Sequence, residues 1–222
     1  MALITFPRAK PDELTIVGLS FILDPVQEVT PTRGGKQIAA DLGPTLWTAE
    51  MRSGQMEEDD FGIVRAWFDT LSSLEEFYGY DKLREYPVSY GAADFAAMTV
   101  GGNPFDGTCS LANVVDNGLT VQLNSLPVGF KLRPGDYLAF EYGTSDELRA
   151  LHRVSAGGDA DGSGELDVEV RPRVRTGWEA AATVMLYRPA ARMVVMPKSY
   201  TETIIPPTFG EVSFRAIQTL GS

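Results

Sequence analysis

The sequence predicts a mainly β chain with one amphipathic helix, in which a small antiparallel β-barrel is inserted into a second β domain. Three observations predict it. Residues 14–23 read as a strand, and apolar and polar residues alternate over 45–51 and several segments between 126 and 196, the period of a half-buried strand. One segment alone, 57–71, carries apolar residues at helical spacing. From about residue 88 onward glycine or proline recurs every few positions, which suits short strands and turns and leaves no room for a second long helix.

Taken in order, residues 1–13 read as an arm, with Pro7 and Pro11 among polar residues. The first strand, 14–23, alternates Thr15, Val17 and Leu19 with Ile16, Gly18 and Ser20. Pro25, Pro31, Gly34-Gly35 and Gly43-Pro44 then break 25–44 into a long excursion or short edge strands. Residues 45–51 return to strand, setting Leu46, Thr48 and Glu50 against Trp47, Ala49 and Met51. In helix 57–71, Phe61, Val64, Phe68 and Leu71 form one apolar stripe, widened by Ile63 and Trp67, so it should lie against a sheet. Gly62 lowers helix propensity and suggests a close approach. The aromatic-rich stretch 74–90 returns through a loop into another strand.

Residues 91–108, with Gly101-Gly102-Asn103-Pro104, read as loose. A turn at Arg133-Pro134-Gly135-Asp136 opens strand 137–142, and strands at 150–154, 165–171, 182–187 and 191–196 follow. Five or six such strands close into a small barrel, which removes exposed edges. Residues 197–210 are again Pro-rich and loose, and 212–220 read as a last strand. That strand has no evident barrel partner, so it completes the first domain. The expected organisation is a discontinuous domain of 1–87 plus 197–222, with the barrel, 88–196, inserted into it.

Composition narrows function. With 30 acidic and 19 basic residues the formal charge is −11, which repels nucleic-acid phosphates and anionic membranes and argues against sequence-specific nucleic-acid binding. A channel that conducts DNA without binding it is compatible with this charge. No apolar run reaches the roughly 18 residues of a membrane helix. Asp12 and Glu13 precede any sustained apolar stretch, so no secretory signal is expected and synthesis is expected in the cytoplasm.

Few side chains suggest chemistry. Cys109 is the sole cysteine, which precludes an intrachain disulfide or a multi-thiolate metal site, and it reads as a small partly buried residue. His152, the sole histidine, reads as a barrel-surface or packing residue; a general base would still need a partner. Asp159, Asp161, Ser163 and Glu165 alternate as calcium-loop oxygens do, but without the length or flanking helices of such a loop, and a polar hairpin turn is the simpler reading. Glu57, Glu58, Asp59 and Asp60 are better explained by the positive start of a helix than by a hydrolase carboxylate pair. Gly34-Gly35-Lys36 is too short for a phosphate cradle, and Trp178 reads as core or interface rather than as a sugar platform. No catalytic, cofactor-binding or metal-ligating residue is therefore assigned, and no cofactor is expected.

One resemblance emerges from the C-terminal half. Pro134-Gly135-Asp136, Leu151-His152-Arg153-Val154, Val170-Arg171-Pro172-Arg173-Val174-Arg175 and Tyr187-Arg188-Pro189-Ala190-Ala191-Arg192 follow one another as in the barrel domain of distal tail proteins of long-tailed, siphovirus-type bacteriophages. Trp47 and helix 57–71 resemble, more weakly, that family's ring-forming domain. The resemblance covers residues 14–220 and is specific over 131–196. It implies a hexameric ring in the virion tail tip, joining the tail tube protein to the baseplate hub protein around a channel for DNA ejection. It also implies an outward barrel of the oligonucleotide/oligosaccharide-binding (OB) type that holds fibres or receptor-binding proteins. The family has no catalytic residues to carry over.

The expectation is thus a non-enzymatic structural protein that assembles with copies of itself. The alternative is a carbohydrate- or protein-binding module of a virion or cell surface. A hydrolase using only carboxylates ranks third and would need an acid/base pair converging in a cleft.

Overall fold

The computed structural model describes residues 4–71, 75–143, 148–206 and 208–220. The chain is mostly strand, with a closed six-stranded barrel and little helix. It divides into two compact units, 1–79 with 192–219 and 80–191 with 220–222. The changeovers fall at 79/80 and 191/192, where the sequence suggested 87/88 and 196/197.

The first unit begins with β1 (Ile16–Asp24), β2 (Gln27–Pro31), β3 (Gln37–Asp41), β4 (Leu46–Ser53) and β5 (Met56–Glu57), then helix α1 (Glu58–Asp69) and β6 (Phe77–Gly79). The second unit holds α2 (Ala92–Ala97), β7 (Thr99–Val100), β8 (Asn103–Pro104), β9 (Thr108–Val115), β10 (Thr120–Asn124), β11 (Lys131–Leu132) and β12 (Tyr137–Tyr142). It continues with β13 (Leu148–Ala156), β14 (Gly158–Asp159), β15 (Leu166–Arg171) and β16 (Thr183–Met185). The chain re-enters the first unit as β17 (Ala191–Val195), β18 (Thr201–Ile205) and β19 (Phe209–Gln218).

In the first unit the strands run β1-β4-β19-β17-β6, with β5 and β18 also paired to β19; the stretch 197–210, read as loose, therefore contains a paired strand. The alternation in β19 buries Gly210, Val212, Phe214, Ala216 and Gln218 on the face that carries Trp47, Ala49 and Met51 of β4. Phe21 of β1 stacks on Trp47 at 5.2 Å. Helix α1 covers this face with Phe61, Val64 and Trp67, and the Phe68 ring lies 4.8 Å from Phe214. Glu58, Asp59 and Asp60 occupy its first turn and Glu57 its N-cap. Two expectations for the helix need correction. Ile63 is exposed, so the apolar stripe is narrower than predicted. Nothing approaches Gly62; the close contact is at Gly210, where a Cβ would lie 2.5 Å from the Phe61 ring. The arm is also tied down: Arg8 bridges Phe77 in parallel, and the Trp67 indole donates to the Ala9 carbonyl at 3.0 Å. Of the reading of 1–13, residues 1–3 lie outside the described residues, as do Leu74 and Pro207 in the readings of 74–90 and 197–210.

In the second unit, β10-β15-β13-β12-β16-β9 close into a barrel. Leu111, Leu123, Leu138, Phe140, Val168 and Val184 fill it. Phe95 of α2 packs on Phe105 at 5.4 Å, and Tyr90 stacks on Phe130 at 4.9 Å. The stretch 91–108, read as loose, therefore contains a short helix and the β7–β8 hairpin. Strand 191–196, placed in the barrel from sequence, belongs instead to the first unit: Met193 pairs with Gln218 and Val195 with Ala216. Pro189 marks the exit from the barrel, not an interruption within it. Its place in the barrel wall is taken by β9 and β10, which the sequence reading passed over.

Candidate assembly interface

A sheet edge presents unpaired N–H and C=O groups, and proteins normally cover or blunt it. The first unit treats its edges unequally. At β6 the arm closes the edge: Arg8 donates its N–H to Glu76 (3.0 Å) and its carbonyl accepts from Tyr78 (2.9 Å). At β1 and β18 no described strand lies outside. β1 is nine residues long, has neither lysine nor proline, and exposes Val17 and Ile22. β18, on the opposite side of the sheet, is five residues long and exposes Ile204. The two open edges are therefore dissimilar in length and sequence.

The sheet face away from α1 carries two ion pairs and a hydroxyl pair. Glu50 lies 3.5 Å from Arg215 and Arg52 lies 3.9 Å from Glu211, while the Thr201 and Ser213 hydroxyls share a hydrogen bond at 2.7 Å. Such exposed pairs contribute at most about 1 kcal/mol each to stability.

Beyond β1, the residues read as an excursion or edge strands form the β2–β3 hairpin. Val29 faces Ala39 and Thr30 faces Ile38, and all ten strand residues are exposed. Gly34-Gly35-Lys36 is its turn, where the Thr32 hydroxyl accepts the Lys36 N–H at 3.0 Å.

Of the chemistry-bearing residues considered from sequence, Glu57–Asp60 lie in the first unit at the start of α1, and Cys109, His152, residues 159–165 and Trp178 lie in the second. His152 is 2 % exposed and stacks on Phe140 at 5.5 Å. Its Nδ1 is 2.8 Å from the Pro172 carbonyl, which only accepts, so Nδ1 carries the proton and Nε2 is a bare, buried acceptor. Burial pushes its pKa down to about 4. Cys109 is buried in the barrel wall, and burial pushes its thiol up. Asp161 accepts the N–H groups of Glu165 (2.9 Å) and Ser163 (2.8 Å), which hold its carboxyl below the usual range, and Asp159 pairs with Arg133 at 2.5 Å. Residues 159–165 are thus a polar turn in which Asp159 and Asp161 are already engaged. Trp178 is half-buried against the barrel core. Glu141 and Glu179 border one open cavity of about 390 Å³, where Arg149 engages Glu141 at 3.4 Å. Among the described residues, no group of three or more His, Cys, Asp or Glu is placed to hold a metal ion. No helix among them is long and apolar enough to cross a membrane.

The residues that carry the resemblance tie the barrel together. Gly135 takes a positive φ of 93° in its turn. The Asp136 carboxylate, fully buried, accepts the N–H groups of Arg133 and Val88, each at 2.7 Å. Desolvation nonetheless leaves its pKa raised. Arg188 lies over the Tyr187 and Tyr80 rings and pairs with Glu85 at 3.3 Å.

No family model matches this chain, and no curated protein matches it at a significant level. The resemblance to distal tail proteins rests on the motif residues themselves.

Proposed function

We propose that the protein is a non-enzymatic, self-assembling component of a phage tail tip: a hexameric ring of the distal tail type, joining the tail tube protein to the baseplate hub protein in the virion. The observation that carries this reading is the pair of dissimilar open edges, β1 and β18, on one sheet. Different patches that meet head to tail give a heterologous contact, and such contacts close into rings when the rotation permits. Edge-to-edge addition would satisfy the open backbone groups of both strands and make one sheet continuous through the ring.

The ion-paired face suits the conduit role. Turned toward the ring axis, the Glu50–Arg215 and Arg52–Glu211 pairs offset their own charges, which weakens their attraction for passing DNA. The barrel, of OB type on this reading, holds fibre or receptor-binding proteins.

Negative-stain electron microscopy of concentrated protein tests the reading. Six-fold rings with an axial opening are expected. Separate single chains, together with saturable binding of a glycan by the monomer, would replace it with the surface-binding module.

A further inference from the structure

The β2–β3 hairpin is hard to explain within a single copy. A two-stranded ribbon standing alone is marginal in water, yet this one exposes all ten of its strand residues. Its apolar residues lie on both faces, Val29 beside Ala39 on one and Ile38 beside Ala40 on the other. Five residue pairs give it a length of roughly 17 Å, long enough to reach onto a neighbouring subunit.

Its tip points to the partner. Arg33 and Lys36 lie in the turn and have no carboxylate partner among the described residues. Without those two positive charges the chain carries −13 (−11 less 2), so a second copy is a strongly acidic partner for a basic tip. The longest acidic run in the sequence is Glu57, Glu58, Asp59 and Asp60. All four are exposed, and none is ion-paired among the described residues.

We propose that the hairpin is an inter-subunit arm that lies on the adjacent copy, with Arg33 and Lys36 against the acidic start of α1 in that copy. This rests on the ring reading and deepens it by naming the contact that sets subunit order. Opposite charges at the two ends of one chain's contact also favour head-to-tail over tail-to-tail approach.

A charge swap tests it, read as the concentration at which the full chain assembles. R33E/K36E raises that concentration roughly tenfold or more, and E57K/E58K does the same. Combining all four substitutions restores assembly. Wild-type assembly weakens between 50 and 500 mM NaCl, about the range over which exposed charges become screened. These side chains are exposed, so far-UV circular dichroism of each variant stays native. Wild-type-like assembly of R33E/K36E overturns the arm and leaves the ring reading intact. Loss without restoration by the combined variant overturns the pairing with α1. A wild-type chain that stays monomeric removes the ring reading, and the arm with it.

Discussion

At the scale of single residues, the sole histidine and sole cysteine report on the barrel from within. His152 is neutral in the folded barrel with a pKa near 4, against about 6.5 when unfolded. The unfolded chain then binds the extra proton between those values, so stability is full above pH 6.5 and falls as the pH drops toward 4. The loss reaches roughly 3 kcal/mol. Urea denaturation from pH 7 to 5 should follow this slope in the wild type and lose much of it in His152→Gln. The single imidazole resonance should titrate near 4; titration near 6.5 in the folded protein would contradict the buried placement. Cys109 should resist a thiol reagent in the native protein and react when the barrel opens, at the rate at which circular dichroism reports unfolding. Both residues lacked a chemical neighbourhood in the sequence, which is why packing was the natural reading. That Asp136 gathers the Val88 amide was not legible, because the partner lies 48 residues away.

At the scale of elements, local period was informative and pairing was not. Helix 57–71 and strands 45–51, 137–142 and 165–171 announced themselves by spacing and reappear almost unshifted. Strand 191–196 was legible as a strand, but its partner β19 is set by tertiary packing, and sequence proximity favoured the wrong unit. The signal for β9 and β10 was present in Asp116-Asn117-Gly118, a tight turn between alternating segments, with Asn117 and Gly118 at positive φ. Two glycines, Gly62 on the open side of α1 and Gly210 beneath the helix, separate propensity from packing. Gly62→Ala should stabilise the first unit by up to about 1 kcal/mol, since its surroundings are open and alanine favours helix. Gly210→Val should cost about 1–3 kcal/mol, since its side chain would enter the Phe61 ring. Thermal unfolding of the two variants should move in opposite directions.

At the scale of the whole molecule, the open edges were not legible in the sequence. Alternation identifies a strand but not whether its outer side is paired, and β1 reads much like β4 until the sheet order is known. Structure supplies the contrast between an edge closed by the arm at β6 and edges left open at β1 and β18. The proposal that these edges meet between copies makes mass the most direct observable. Light scattering across concentration should find a particle of about 145 kDa, six times the 24.2 kDa chain, either throughout or growing in as concentration rises. A 24.2 kDa monomer at every concentration would contradict the ring.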